Sequence, residues 1–206
     1  MNQSFNPIVQ VHSDTVILNI FDQLKSGTSR PHVRLERAVD IMDEFLTRAR
    51  YANLISDFHA FYAPLEDQIF CHDWSGIAFD LESRRKLPML VRDLKVLGLQ
   101  APLSCPNPPK LESFAHVLGA MYVLEGATLG GQVIGRHLQK QLRLSADSGA
   151  AFFNSYADRV GPMWIAFRQF LVAQVTNAEF ESEVVAGALE TFEAFAVWLE
   201  RDRRVA

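Results

Sequence analysis

The spacing of apolar residues predicts helices along most of the chain. Between Tyr51 and Ile69, apolar side chains recur every three or four positions, which is the period of a helix with one buried face. Similar patterns cover about Arg84 to Leu97, Leu111 to Leu142, Ser155 to Val175 and Ala178 to Arg203. The sequence contains no convincing run of the two-residue alternation that is typical of strands. The pattern therefore predicts an all-α protein, folded as an irregular helical bundle.

The N-terminal helical pattern runs from about Thr15 to Leu46 and is interrupted by the segment SGTSRP at 26–31. One interpretation is a single helix that kinks at this segment. The other is a second helix that starts there, with Thr28 or Ser29 as its N-cap and Pro31 in its first turn, where a missing N–H does no harm.

Length and composition indicate one globular domain. The chain has 206 residues, of which 49% are hydrophobic and 21% charged. We expect all 206 residues to form a single domain, with residues 1–14 as a loose N-terminal segment. A net charge of −4 argues against a general nucleic-acid binder, which needs a basic surface. No signal peptide and no apolar run of membrane-spanning length is evident, so we expect a cytoplasmic protein without a membrane span.

The segment GAMYVLEGATLGGQVIG concentrates glycine in a stretch otherwise suited to a helix. Each glycine in a helix interior costs about 1 kcal/mol relative to alanine, so something must compensate. At about 100° per residue, Gly119, Gly126 and Gly130 fall within about 40° of one another and form a stripe without side chains. The stripe could pack closely against another helix. It could instead cover a large planar ligand, with the Gly130–Gly131 pair allowing a bend.

Two segments resemble those of heme oxygenases. The stretch YVLEGATLGGQVIGRHL resembles the distal-helix signature of that family, most specifically in the Gly-Gly-Gln at 130–132. The upstream stretch LKSGTSRPHVRLE is similar to the proximal segment, and weaker likeness extends from about Leu24 to Leu199. The bacterial branch that supplies biliverdin, often to phytochromes, is the most similar. The resemblance implies an enzyme that opens heme with O₂ and reducing equivalents to biliverdin, CO and Fe²⁺.

The resemblance also implies roles for five residues around the heme. His32 matches the iron-ligating histidine, and Glu36 lies one turn later, where a carboxylate can orient the ring; the alternative for Glu36 is an ion pair with an arginine. Lys25 and Arg168 match basic residues that bind the heme propionates. Phe192 matches an aromatic residue of the distal wall, although core packing would explain it equally well.

On the distal side, the resemblance assigns the catalytic role to Gly126, Gly130 and Gly131, which would direct bound oxygen towards the ring edge by steric means. Many members of the family carry a catalytic aspartate at the position of Ala127. Thr128 points away from the glycine stripe and is a poor replacement, so ordered water is the expected proton path. The chain has no dinucleotide fingerprint or iron–sulfur motif, so the electrons must come from a partner such as ferredoxin or a flavin reductase.

Three other classes of protein are alternatives to a heme oxygenase. The absence of a carboxylate at Ala127 favours a non-catalytic heme-binding or heme-sensing protein on the same fold. A thiamin-degrading enzyme would need a nucleophile such as Cys71, which is better explained as a loop cysteine. The only other cysteine is Cys105, and no CxxC spacing suggests a zinc site. A di-iron bundle is disfavoured because no Glu-x-x-His pair occurs.

Overall fold

A computed structural model describes the backbone of residues 8–201 and the side chains of residues 20–201; residues 1–7 and 202–206 lie outside it. The described chain forms seven α-helices and contains no strand. The helices are α1 (Ile8–Val39), α2 (Arg48–Cys71), α3 (Leu87–Leu97), α4 (Phe114–Ala127), α5 (Gly131–Leu142), α6 (Val160–Gln174) and α7 (Ala178–Glu200). The predicted all-α class is confirmed.

Local capping explains where several helices begin and end. Thr47, Ser113 and Asn177 precede α2, α4 and α7, and each side-chain oxygen accepts a hydrogen bond from the backbone N–H three residues later. The helix α3 ends at Gly98, whose φ of 76° is the left-handed conformation that glycine adopts without a steric penalty. These caps fix the helix ends to within a few residues of the periodic pattern.

The helix α1 continues without interruption through the segment 26–31, so the prediction of a second helix starting there is wrong. Instead of capping a new helix, the Thr28 hydroxyl donates to the Leu24 carbonyl at 2.6 Å. The Ser29 hydroxyl likewise donates to the Ser26 carbonyl at 2.9 Å. Both hydroxyls are satisfied by the preceding turn of the same helix, and Pro31 lies in the helix interior.

The ends of α1 also differ from the predicted bounds. The helix begins at Ile8, so the segment 1–14 that was expected to be loose is helical from Ile8 onwards, and residues 1–7 lie outside the described chain. It ends at Val39, because Asp40 has a φ of 44° and the chain turns away towards α2. The helical pattern up to Leu46 therefore includes a turn, which buries Ile41 and Leu46 and leaves Met42 and Phe45 exposed.

The central contact of the bundle is a close crossing of α4 and α7 through two glycines. A Cβ atom on Gly119 would lie 2.6 Å from the Ala188 backbone nitrogen, and one on Gly187 would lie 2.7 Å from the His116 Cα. Real Cβ atoms do not come so close to backbone, so both positions require glycine. The core around this crossing contains stacked aromatic rings, such as Phe61 and Phe195 with centroids 4.2 Å apart.

The stretch Phe114–Leu142, which spans α4 and α5, is long and apolar enough to cross a membrane by length and composition, which the sequence analysis did not anticipate. Half of its most apolar window is buried inside the bundle. A 3-10 turn at Thr128–Gly130 also separates its two helices. The core helix of a soluble bundle meets the same criterion, so the stretch is weak evidence for a span.

A buried carboxylate fixes the turn that follows α5. Asp93 on α3 is fully buried and accepts hydrogen bonds from the backbone nitrogens of Ala151 at 2.7 Å and Phe152 at 2.8 Å. Burial raises the pKa of this carboxyl, while the two N–H groups oppose the shift. Asp93 thereby holds the 3-10 turn Phe152–Asn154 against α3.

Replacing Asp93 by alanine is expected to destabilise the protein by roughly 2–4 kcal/mol, because two buried N–H groups lose their acceptor. The measurement is urea unfolding of the heme-free protein. Asp147→Ala is the matched control, since the carboxylate of Asp147 is exposed and pairs only with exposed Arg92. Equal losses of stability in the two variants would contradict the anchoring role of Asp93.

Candidate functional site

A cavity of about 970 Å³ lies between α1 and the α4–α5 segment. Its volume is at the upper end of the range usual for small-molecule sites. Most of its lining is apolar, and the rings of Phe58, Tyr62, Phe152, Phe153 and Phe195 form much of its interior. Val33, Met42, Leu129 and Val133 also line it and are exposed. The cavity therefore suits a large and mainly apolar ligand that reaches solvent.

On the α1 side, His32 lines the cavity with a side chain that is 51% exposed. Its ring meets the Phe192 ring edge-on, with centroids 5.2 Å apart. Nε2 lies 3.9 Å from Glu36 Oε1, which is within ion-pair range and too long for a hydrogen bond. His32, Glu36 and Phe192 all line the same cavity. The expected position of Phe192 on the distal wall is wrong, because its ring lies against His32 and thus on the side of the predicted iron ligand.

On the α4–α5 side, Gly126 and Gly130 line the cavity and leave open space. A Cβ atom on Gly126 would meet nothing within 4 Å, and one on Gly130 would meet only the tip of Ile134 at 3.6 Å. Ala127 lies between them and also lines the cavity. The Thr128 hydroxyl donates to the Glu125 carbonyl at 2.6 Å within the 3-10 turn that ends α4.

The glycine stripe thus serves two purposes. Gly119 packs against α7, as the helix-packing interpretation requires, whereas Gly126 and Gly130 face the cavity, as the ligand-covering interpretation requires. Gly131, the third residue predicted on the distal side, is buried and does not line this cavity. A Cβ atom on Gly131 would overlap the Phe153 carbonyl oxygen, so its position is explained by packing.

The two predicted propionate-binding residues are placed differently. Lys25 is exposed and lines the cavity. Arg168 on α6 does not line it, and its guanidinium lies over the Phe21 ring, 4.4 Å from the centroid. Burial raises the pKa of Tyr122, a cavity residue, and the positive charge of Arg168 opposes that shift. Arg168 is therefore close enough to Tyr122 to affect it electrostatically, but it does not line the cavity.

Behind the α4–α5 side lies a buried polar group that the sequence analysis missed; we call Arg84, Lys86, Glu125 and Tyr156 the Glu125 cluster. Lys86 Nζ donates to Glu125 Oε1 at 3.1 Å and to the Tyr156 hydroxyl at 2.6 Å, and that hydroxyl donates to the same Glu125 oxygen at 2.7 Å. Arg84 pairs with the other oxygen of Glu125. All four residues are less than a tenth exposed.

The environment of the Glu125 cluster affects its titrating groups. Burial lowers the pKa of the Lys86 ammonium, although the Glu125 carboxylate opposes that shift. Burial also raises the pKa of Tyr156. The sequence did carry a signal for the cluster, because Glu125 is the only Asp, Glu, Lys or Arg between Phe114 and Gly135. A lone carboxylate in an apolar helix predicts a buried cation as its partner.

Comparison with known proteins identifies the family. The heme oxygenase family model matches residues 108–201. A heme oxygenase of Xanthomonas campestris is 32% identical over 156 residues, which cover 75% of this chain and 91% of the relative. The heme oxygenase PigA of Pseudomonas aeruginosa is 27% identical over 175 residues, covering 84% of this chain and 88% of the relative.

Solved structures agree on the fold. The heme oxygenase of Neisseria meningitidis, solved with NO and CO bound, superposes with a TM-score of 0.80 at 24% identity, over 91% of this chain and 93% of that one. The heme oxygenase of Leptospira interrogans gives a TM-score of 0.69 at 18% identity, over 88% and 98% of the two chains. The chain belongs to the heme oxygenase family. The all-α fold, predicted from the apolar periodicity, and the enzyme class, predicted from two sequence segments, are both confirmed.

Proposed function

We propose that the cavity binds one heme, with the iron held by His32 and the opposite face covered by Gly126 and Gly130, and that the enzyme converts this heme to biliverdin, CO and Fe²⁺. The observation that carries the proposal is that a half-exposed histidine and two glycines facing open space line one cavity of about 970 Å³. The aromatic and aliphatic lining fits the apolar faces of a porphyrin.

His32 is suited to hold the iron. A neutral imidazole is a usual axial ligand of heme. Neither nitrogen of the His32 ring is hydrogen-bonded to another residue of the described chain, so the ring is available as a ligand. The edge contact with Phe192 limits rotation of the ring, and the Glu36 carboxylate lies 3.9 Å from Nε2, from where it could help to orient the ring.

The glycines leave space where O₂ must reach the heme. When bound, heme supplies both the iron that activates O₂ and the ring that is oxidised. Gly126 and Gly130 allow the helix backbone to lie close over the heme face, where a side chain would fill the space needed by O₂. Gly131 would act indirectly. Because it has no side chain, the start of α5 can pack closely against the Phe153 carbonyl.

The proposal includes partners. Electrons would come from a separate ferredoxin or flavin reductase, since the sequence has no dinucleotide fingerprint or iron–sulfur motif. A phytochrome is the proposed recipient of biliverdin, and the cytoplasm, where such donors occur, is the proposed location. The whole chain is proposed to act as a single domain.

Lys25 is proposed to bind a heme propionate at the open edge of the cavity. Lys25→Met is expected to weaken heme binding about fivefold, since an exposed ion pair contributes up to about 1 kcal/mol, and to mix the biliverdin isomers. Hemin titration and chromatography of the products measure the two effects. Lys140→Met, which removes an exposed lysine away from the cavity lining, is the control. An unchanged affinity and isomer ratio in Lys25→Met would show that Lys25 is only a surface charge.

Arg168 is a second proposed propionate partner, which would have to act from behind Phe21. Adding Arg168→Met to Lys25→Met should weaken binding further if Arg168 contributes charge to the cavity edge. If the single and the double variant bind heme with the same affinity, Arg168 does not contribute to heme binding and only packs on Phe21.

The proposed function is tested by adding hemin to the purified protein and then ascorbate in air. We expect one heme to bind per chain, the heme band to disappear, and biliverdin to form. A stable one-to-one heme complex without pigment formation would instead support a heme-binding or heme-sensing protein, the alternative favoured by the methyl group at Ala127.

A further inference from the structure

Glu125 connects the Glu125 cluster to the backbone that covers the cavity. Its side chain is buried in the cluster, and the residue itself does not line the large cavity. Its carbonyl oxygen accepts hydrogen bonds from the Thr128 hydroxyl at 2.6 Å and from the Thr128 backbone N–H. These bonds hold the start of the 3-10 turn Thr128–Gly130, and Gly130 lines the cavity. The place of this turn therefore depends on where Glu125 is held.

The carboxylate of Glu125 is held by residues from two other parts of the chain. Lys86, which precedes α3, and Tyr156, from the turn before α6, both donate to Oε1, and Arg84 pairs with the other oxygen. The three hydrogens of the Lys86 ammonium are all used, since they are donated to Glu125, to the Tyr156 hydroxyl and to the Arg84 carbonyl at 2.8 Å. Buried polar groups with all their partners in place form a rigid support.

This support is itself fixed to the rest of the bundle. The Lys86 backbone nitrogen donates to Glu66 on α2 at 2.6 Å. The Arg84 guanidinium donates to the Met163 carbonyl on α6 at 3.3 Å and lies over the Phe79 ring, 4.5 Å from its centroid. The cluster thus holds the end of α4 against α2 and α6.

Little space separates the turn from the Glu125 cluster. A second cavity, lined by Lys86 on one side and by Ala127, Thr128 and Gly131 on the other, has a volume of only about 10 Å³, which is about that of one water molecule. At the far end of the turn, Gly131 packs against the Phe153 carbonyl. The turn between α4 and α5 is therefore fixed by Glu125 at its start and by Gly131 at its end.

We propose that Lys86 and Tyr156 are positioning residues for the reaction, which hold the Glu125 carboxylate and thereby set how closely the backbone from Gly126 to Gly130 lies over the heme. This inference rests on the proposed function. If the carboxylate is held less firmly, the turn can move, and the space for O₂ beside the two glycines varies from one molecule to the next. Displacements of about 1 Å in a reacting site can lower a rate by about 100-fold, so a loosely held turn should slow the reaction.

The first test uses the heme-free protein. Tyr156→Phe removes the hydroxyl that accepts from Lys86 and donates to Glu125. We expect hydrogen exchange at the backbone N–H groups of Thr128 and Gly131 to become about tenfold faster, because these groups bond to carbonyls of the segment that Glu125 holds. The rates are measured by NMR.

The matched control is Tyr51→Phe, which also removes one buried hydroxyl. That hydroxyl donates to the Gly149 carbonyl at 2.8 Å, and Tyr51 lines neither cavity. Exchange at Thr128 and Gly131 should stay at the wild-type rate in this variant. If the two variants exchange at the same rate at these positions, the proposed positioning role is overturned.

The second test examines the protein with heme bound and uses CO as a probe. The stretching band of CO on reduced heme responds to the charges and dipoles next to the ligand. We expect one narrow band in wild type and in Tyr51→Phe, and a broader or split band in Tyr156→Phe. Tyr156→Phe should also lose about tenfold in ascorbate-driven turnover while its affinity for hemin stays at the wild-type value.

A wild-type CO band together with wild-type turnover in Tyr156→Phe would overturn the proposal, even if the melting temperature fell, because the cluster would then contribute only to stability. If Tyr156→Phe does not fold, Lys86→Met, which leaves Arg84 paired with Glu125, replaces it with the same expected results. A wild-type protein that forms no biliverdin would contradict the proposed function, whereas hydrogen exchange in the heme-free protein tests the positioning of the turn separately.

Discussion

Replacing His32 by alanine is expected to abolish the histidine-ligated heme spectrum and the formation of biliverdin. The reason is that the imidazole would be the bond to iron, and no other histidine lines the cavity in the described chain. The fold should be retained, because the His32 side chain is 51% exposed. We expect the free energy of unfolding of the heme-free protein to change by no more than about 0.5 kcal/mol.

The control for this prediction is His72→Ala, which removes a histidine that stacks on Phe114 away from the cavity. It should leave the spectrum and turnover at wild-type values. Added imidazole should partly restore ligation in His32→Ala by entering the vacated space. If His32→Ala has the wild-type heme spectrum and the wild-type rate of biliverdin formation, His32 is not the iron ligand.

Replacing Gly130 by leucine is expected to abolish turnover while heme still binds through His32. The new side chain would extend into the cavity, where only the tip of Ile134 lies within 4 Å of the Cβ position, and would fill the space that O₂ needs. Because that space is open, the melting temperature of the heme-free protein should change little. Gly126→Leu should behave in the same way, since nothing lies within 4 Å of its Cβ position.

Two other glycines provide the matched comparison. Gly119→Ala would place its methyl group against the backbone of α7, and Gly131→Ala would place it against the Phe153 carbonyl. Both should lower the stability of the heme-free protein by about 1–3 kcal/mol or more, as overpacking does. The fraction of the Gly119→Ala protein that remains folded should still convert heme to biliverdin. Lower heme-free stability with normal turnover in Gly130→Leu would contradict the assignment of Gly130 to the distal face and show that it serves packing instead.

The helices were largely predictable because each buries one face, so that apolar side chains recur every three or four residues along the sequence. The apolar pattern from Tyr51 to Ile69 predicted α2 at Arg48–Cys71, and the N-cap at Thr47 accounts for its earlier start. The segment 26–31 was not predictable in the same way. Thr28 and Ser29 can hydrogen-bond either forwards, as N-caps, or backwards within a helix, and local sequence does not decide between the two. The packing of α1 against α7 selects the continuous helix.

The site was predictable only in part, because helical spacing shows which residues share a face and not what that face meets. Gly119 and Gly126 are on one stripe in the sequence, yet one meets α7 and the other meets open space. The partners within the Glu125 cluster were even less predictable from the sequence. Glu125 obtains its partners from Lys86 and Tyr156, which are 39 and 31 residues away in the chain, so the pairing exists only in the folded protein.

The crystal structure of the heme complex tests the central claim most directly, because it shows which residue holds the iron and what covers the opposite face. We expect one heme in the cavity of about 970 Å³, with its iron bonded to His32 and with Gly126 and Gly130 against the other face. A heme bound outside this cavity, an iron bonded to another residue, or a distal face covered by other parts of the chain would contradict the account.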